Sequence, residues 1–205
     1  MLILVSGATV TMAQRIDPWL GRLIVPRQRN DVALVQDGRP WAMDNGAFSH
    51  FDPELFVDML YRHRGLPGCL FVAVPDVVAD AEATRARFDR WAPVVRAYGF
   101  PVALVAQDGL TPETTPWTAL DALFIGGSTE WKLGPEAREL VGIARALGKW
   151  VHMGRVNSIR RLRYAERIGC QSVDGTGFSR FPDVMLRRAE SWADGRSQGE
   201  LPWSA

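Results

Sequence analysis

The sequence predicts an α/β protein, a compact (β/α)8 barrel of the TIM type, and three observations favour this fold class. Short apolar runs recur along the whole chain, stretches with helical periodicity separate most of them, and the runs number about eight. Runs that are apolar throughout are typical of parallel strands covered on both faces. A doubly wound open sheet is the competing architecture, because 205 residues is short for a barrel.

Each apolar run is a candidate strand. The first run has no basic flank, so it is interpreted as a strand and not as a signal peptide. The six stronger runs are residues 2–5, 32–35, 70–74, 102–106, 122–125 and 150–153, and the two weaker ones are 41–43 and 171–173.

The helices are predicted from periodicity and from their end signals. Asp52 and Pro53 open one helix as N-cap and first residue, and Gly148 and Gly169 end two others. The predicted helices are 53–62, 79–98, 135–147, 158–168 and 182–193.

Composition limits the class of protein. The formal net charge is +1, 47% of the residues are apolar, and no apolar run approaches the roughly 20 residues of a membrane span. Cys69 and Cys170 stand alone, which argues against a disulfide scaffold and against a cysteine-based zinc site. We expect one barrel domain over 1–193, a C-terminal tail over 194–205, and a cytoplasmic protein without membrane partners.

Polar residues and glycine turns follow six of the candidate strands. In a barrel the carboxyl ends of the strands meet at one mouth, so these residues are expected to share a site. They are Asp44 and Phe48, Asp76, Gln107, Gly126 and Gly127, Gly154 and Arg155, and Asp174.

Several carboxylates at one mouth suggest acid–base chemistry or attack by a carboxylate on an electrophilic sugar carbon. Gln107 and the amides of the Gly126–Gly127 turn could bind the edge of a planar heterocycle, on which Phe48 could stack. The rival interpretation is a Mg²⁺ or Zn²⁺ site made by the three aspartates and His152. His152 itself is expected to be a hydrogen-bonded strand residue and not a catalyst.

The segment from Arg155 to Arg188 is strongly basic. It carries eight arginines against Glu166, Asp174 and Asp183, an excess of five positive charges. Charge alone favours a solvated helix face, and the alternative is a patch that binds phosphates.

The ordered motifs resemble those of the tRNA-guanine transglycosylase superfamily. They are DNGAF (44–48), PD (75–76), AQDG (106–109), IGGS (125–128), HMGRV (152–156) and GCQSVDGTGFSR (169–180). The chain is most similar to the small phage and actinobacterial members thought to place 7-deazaguanines in DNA. No single motif is specific, but their order spans most of the chain.

The resemblance implies a pentosyltransferase that replaces guanine by a 7-deazaguanine such as preQ0. We expect no cofactor and no metal in this chain. It makes Asp174 the nucleophile on C1′ and Asp44 the general acid and base. It implies substrate binding by Phe48, Asp76, Gln107, Gly126, Gly127, Met153 and Gly154, with the two glycines of the 126–127 turn donating backbone N–H groups to the base. The arginines that would contact nucleic acid are Arg155, Arg160, Arg161 and Arg180.

The departures from this family change the expected substrate. The tRNA enzymes carry a zinc subdomain with three cysteines and one histidine, which the two distant cysteines here cannot form. DNA is therefore expected in preference to tRNA, and a second subunit or a partner protein is expected to supply missing binding surface. The alternatives are a small-molecule barrel enzyme acting on a phosphorylated metabolite, and a non-catalytic DNA-binding member of a modification complex.

Overall fold

Eight parallel strands form a closed barrel in the computed structural model, which describes residues 1–7, 15, 17–27, 31–36, 38–48 and 50–197. Each strand pairs with its sequence neighbour, and the first strand also pairs with the last, with Ile3 opposite Val173. The predicted (β/α)8 barrel is therefore confirmed, and the open sheet is not the architecture of this chain.

The strands lie close to five of the six stronger predicted runs and to both weaker ones, with one exchange. They are β1 (Leu2–Val5), β2 (Leu20–Ile24), β3 (Trp41–Met43), β4 (Cys69–Ala73), β5 (Val102–Ala106), β6 (Ala122–Ile125), β7 (Trp150–Met153) and β8 (Ser172–Asp174). The strand predicted at 32–35 is wrong, because those residues belong to a short helix. The second strand is Leu20–Ile24 instead, where Gly21 and Arg22 interrupt the apolar pattern.

Helices connect most of the strands. They are α1 (Asp31–Val35), α2 (Pro53–His63), α3 (Ala81–Ala97), α4 (Thr129–Lys132), α5 (Pro135–Ala146), α6 (Ile159–Ile168), α7 (Gly177–Arg180) and α8 (Pro182–Ser197). The last helix extends four residues beyond its predicted end, into the expected tail, and residues 198–205 lie outside the described residues. None of the described helices has both the length and the apolar character needed to cross a bilayer.

The helix ends follow from local chemistry. The Asp52 carboxylate accepts hydrogen bonds from the N–H groups of Glu54 and Leu55, as an N-cap does. Ser158 caps α6 in the same way, and Gly169 ends it with φ 105°, a left-handed conformation that glycine adopts without strain. These caps fix where the chain enters and leaves each helix, and so set the loops at the mouth.

Two apolar layers hold the barrel. Residues on the inner faces of the strands, among them Leu4, Phe71 and Phe124, fill its interior. The outward-facing residues pack with the helices in a larger cluster that includes Trp41, Phe56 and Val151. Alternation along each strand therefore decides whether a side chain faces the barrel axis or the helices.

Candidate active site

The inner faces of the strands continue into the mouth of the barrel. Ala42 and Val105 lie in the inner layer, and the residues two positions later are Asp44 and Gln107. Asp174 follows the buried Ser172 of β8 in the same way. Because side chains alternate along a strand, all three polar groups are brought to the mouth by the same geometry that fills the interior.

The mouth contains a pocket of about 590 Å³, hereafter the mouth pocket. Its floor is apolar and its upper wall is polar. The residues that line it include Leu23, Val105 and Phe124 below, and Asp44, Asp76, Gln107, Gly126, Gly127, Gly154, Arg155, Asp174, Arg180 and Phe48 above. Its size falls within the range of ordinary small-molecule sites. The structure therefore brings together most of the residues that the sequence predicted as a site.

Asp44 has a raised pKa. Burial raises its pKa to about 7 from the ordinary 3.8, and the negative charges of Asp174 and Asp76 add to the effect. The N–H of Gly46 lies 3.4 Å from Oδ1 and opposes the shift only weakly. A carboxyl group with this pKa can both give and take a proton near neutral pH.

Asp76 is held in a buried network of amides. Its Oδ1 accepts a hydrogen bond from Asn45 Nδ2 at 2.8 Å, and its Oδ2 accepts one from Gln107 Nε2 at 2.6 Å. Burial raises its pKa, and these hydrogen bonds partly offset the rise. Gln107 Oε1 also accepts the N–H groups of Ala79 and Gly127, at 2.9 and 3.0 Å. Gln107 therefore ties together the loops that follow β4, β5 and β6.

Asp174 is fixed through one of its two carboxylate oxygens. Oδ1 lies 3.1 Å from His152 Nε2 and 3.3 Å from the N–H of Arg155. A Cβ atom on Gly154 would stand only 3.2 Å from Oδ1 and 2.6 Å from Phe124 Cε1, so glycine is needed for this close approach. Among the described residues no hydrogen bond reaches Oδ2, which leaves that oxygen for a ligand.

Lys132 lies behind the Gly154–Arg155 turn that follows β7. It is only 1% exposed, and its ammonium group donates a hydrogen bond to the Gly154 carbonyl at 2.8 Å. Burial lowers its pKa to about 8, with a smaller contribution from the positive charge of Arg155. The lysine orients the peptide group whose N–H points at Asp174, so it supports the site without lining the pocket.

The glycine turn after β6 differs from its predicted role. The Gly126 N–H donates to the Ala106 carbonyl at 3.0 Å, and the Gly127 N–H donates to Gln107. Neither N–H is therefore free to meet a base in this conformation. A Cβ atom on Gly126 would lie 2.8 Å from Val105 Cγ1, so the glycine is explained by close packing.

Three further predicted residues lie off the pocket wall. Met153 is fully buried in the outer layer, because it faces away from the barrel axis on the strand where His152 faces inward. Arg160 and Arg161 lie on the first turn of α6, where Arg160 is exposed and Arg161 half-buried. A direct role of the Met153 side chain in binding is therefore not supported.

The rim of the pocket carries an aromatic ring and two of the predicted arginines. Phe48 is 69% exposed, and the guanidinium of Arg155 lies 5.0 Å from the centre of its ring. Arg155 also donates a hydrogen bond to the Gly127 carbonyl, and its backbone adopts φ 59°. Arg180 lines the pocket from α7. This rim can hold an anionic, planar ligand.

Asn45 and Lys132 support the site through hydrogen bonds but were not among the predicted site residues. Asn45 is 2% exposed and donates to both the Val74 carbonyl and Asp76. Its position directly after Asp44 was a usable signal, since an amide next to a strand-end acid is suited to orienting neighbouring groups. Lys132 gave no such signal, because a lysine on a short helix is usually exposed.

The described residues contain no group of three or more His, Cys, Asp or Glu side chains placed to hold a metal ion.

Comparison with known proteins gives structural neighbours only. No protein-family model matches the chain. No curated protein sequence matches it either. A solved structure described as "Native KDPGal structure" is 18% identical, with a TM-score of 0.48 over 84% of this chain and 81% of that one. A second, "PaMucR Phosphodiesterase, c-di-GMP complex", is 17% identical, with a TM-score of 0.40 over 69% of this chain and 61% of that one. Both scores are below 0.5, so neither likeness carries an argument about this chain.

Proposed function

We propose that the protein is a barrel enzyme whose reaction takes place in the mouth pocket and is carried out by carboxylates. The narrower proposal is base exchange on a nucleic acid, in which guanine in DNA is replaced by a 7-deazaguanine such as preQ0. The mouth pocket of about 590 Å³ supports the broad statement. The narrower one depends on the division of labour between Asp44 and Asp174.

The observation that carries the proposal is the contrast between these two acids. Asp174 receives two hydrogen bonds on Oδ1, from His152 and from the Arg155 N–H, and its Oδ2 is left for a ligand in the pocket. Asp44 has a pKa of about 7 and is available in both protonation states at neutral pH. Two neighbouring carboxyl groups with different environments are what a nucleophile and a general acid–base require.

The reaction proceeds in two balanced displacements. Asp174 Oδ2 forms a bond to C1′ of the target nucleotide as the C1′–N bond to guanine breaks, and the proton of neutral Asp44 goes to the departing base. The incoming base then gives its ring N–H proton to the Asp44 carboxylate. Its nitrogen forms the new bond to C1′, and Asp174 is released as a carboxylate. Asp44 ends protonated, as it began.

Recognition of the base is proposed for Asp76 and Gln107. Their mutual hydrogen bond of 2.6 Å keeps a carboxylate and an amide side by side at the pocket wall. The exposed ring of Phe48 could stack on a base, and Arg155 and Arg180 could contact the phosphates on either side. Binding by the Gly126 and Gly127 N–H groups would require these groups to leave the Ala106 carbonyl and the Gln107 side chain.

A second candidate function is that of a barrel enzyme acting on a small phosphorylated metabolite. The size of the pocket and its arginines at the rim favour it, since they suit a small anion without a nucleic acid. The glycine turns after β6 and β7, where such an enzyme would be expected to bind the phosphate, count against it. The N–H groups of Gly126, Gly127 and Gly154 all donate within the protein.

The proposal is tested by a base-exchange assay. The protein is incubated with preQ0 and guanine-containing DNA, or in parallel with bulk tRNA, and the digested nucleosides are analysed by mass spectrometry. A deazaguanosine in DNA alone is the expected result. Product in tRNA would keep the chemistry and contradict the choice of substrate.

Two variants and one control identify the site. Asp174→Asn is expected to abolish exchange, and Asp44→Asn to slow it by about 100-fold as loss of a general base does. Asp89→Asn, on the exposed face of α3, is the matched control and should exchange normally.

Binding of DNA without exchange would favour the non-catalytic DNA-binding member, and binding of sugar phosphates without DNA binding would favour the metabolite enzyme.

A further inference from the structure

A line of polar side chains crosses the interior of the barrel beneath Asp174. The indole of Trp150 donates to Ser172 Oγ at 2.9 Å, and Ser172 Oγ lies 2.8 Å from His152 Nδ1. His152 Nε2 in turn lies 3.1 Å from Asp174 Oδ1. Trp150 begins β7 and Asp174 ends β8, so the line runs from the lower end of the barrel to its mouth.

The two ends of this line determine its direction. An indole N–H can only donate, and an ionised carboxylate can only accept. His152 must therefore present Nε2–H to Asp174. Among the described residues the Ser172 hydroxyl has no acceptor other than Nδ1, so Nδ1 carries no proton. The Ser172 hydroxyl then donates to Nδ1 while its oxygen accepts from Trp150. Only this order satisfies every group.

His152 lies in an apolar part of the barrel interior. The side chain is completely buried, as is Ser172. Its ring lies between Phe71 and Phe124, with ring centres 5.1 and 4.5 Å away. Polar groups buried in such a layer need hydrogen-bond partners, and Ser172 and Asp174 supply one for each ring nitrogen.

We infer that His152 is a neutral positioning residue protonated on Nε2, and that it holds Asp174 through a one-way hydrogen-bond chain that starts at Trp150. All the hydrogen bonds of this series are donated in the same direction, so each one polarises and strengthens the next. It keeps Oδ1 occupied and directs Oδ2 to the pocket. The catalytic consequence rests on the proposed role of Asp174, whereas the protonation state of His152 does not.

The tautomer is tested in the wild-type protein by a long-range ¹H–¹⁵N spectrum of ¹⁵N-histidine-labelled protein at pH 7. The chain has three histidines, and the His152 signals are those lost in His152→Gln. His63 is an internal reference of the opposite kind, because its Nδ1 lies 2.8 Å from the Met59 carbonyl and must carry the proton. We expect Nε2–H alone for His152. A proton on Nδ1, or on both nitrogens, would overturn the inference.

Kinetics test the positioning role. A glutamine side chain can accept a hydrogen bond from Ser172 and donate one to Asp174, so His152→Gln should retain exchange within about threefold. A leucine can do neither, so His152→Leu should lower kcat by about tenfold or more with KM unchanged. Trp150→Phe removes only the first donor and should lower kcat about fivefold. Equal losses in His152→Gln and His152→Leu would show that His152 acts by packing alone. If no exchange activity is found, the tautomer still decides the inference.

Discussion

The raised pKa of Asp44 makes this acid a source of instability that depends on pH. Its folded-state pKa of about 7 lies above the ordinary 3.8, so the folded protein binds the Asp44 proton more tightly than the unfolded chain does. The stabilisation that comes from this tighter proton binding is complete below pH 3.8 and is lost as the pH rises through about 7. Ionised Asp44 therefore destabilises the fold in neutral and alkaline solution.

Asp44→Asn removes this dependence. Relative to a pH at which Asp44 is protonated in both states, the linked loss of stability is about 2 kcal/mol at pH 5 and about 4 kcal/mol at pH 8. The variant lacks this loss, so its stability relative to the wild type should rise by about 2–3 kcal/mol between pH 5 and pH 8, even though it loses activity.

Urea unfolding at pH 5, 6, 7 and 8 measures the effect, as the difference in the free energy of unfolding between wild type and variant. Asp89→Asn controls for the loss of one negative charge at an exposed position. A difference for Asp44→Asn that stays constant from pH 5 to pH 8 would show that Asp44 ionises normally. The argument for its acid–base role would then fail.

Three other changes test the architecture of the site. Gly154→Ala places a Cβ atom 2.6 Å from Phe124 Cε1 and should cost about 1–3 kcal/mol of unfolding free energy, measured in urea; a stability equal to wild type would contradict the close packing. Gln107→Ala leaves two loop N–H groups without their acceptor and should cost about 2–5 kcal/mol, seen as a lower Tm; an unchanged Tm would show that the loops are held otherwise. Arg180→Ala should lower the slope of log affinity for single-stranded DNA against log salt concentration by about one phosphate contact. Arg96→Ala, at the end of α3, should leave this slope unchanged. Equal slopes for the two variants would remove Arg180 from the interface.

The barrel could be predicted because its strands are apolar on both faces and its helices carry clear end signals. The second strand could not, since Gly21 and Arg22 break its pattern. A Cβ atom on Gly21 would lie 2.6 Å from Leu4 Cδ2 and from the Pro40 carbonyl, so close packing and not strand propensity selects that glycine. The run at 32–35 shows the converse error, because four apolar residues suit a short helix as well as a strand.

The acids of the site were predictable from their place after the strands, but their chemistry was not. The pKa of Asp44 depends on burial and on charges from distant parts of the chain. Met153 was predicted as a binding residue from the order of the motifs. Because side chains alternate along a strand and His152 faces inward, the Met153 side chain faces outward. Contacts such as Lys132 to the Gly154 carbonyl arise only when α4 folds behind the turn after β7.

The most direct test of the central claim is to trap the covalent intermediate on Asp174. The protein is mixed with a guanine-containing oligonucleotide, denatured rapidly, and analysed by intact mass and by peptide mapping. We predict an adduct carrying the oligonucleotide without its guanine, attached to the peptide that contains Asp174, and no adduct with Asp174→Asn. An adduct on another residue, or base exchange that continues in Asp174→Asn, would contradict the account.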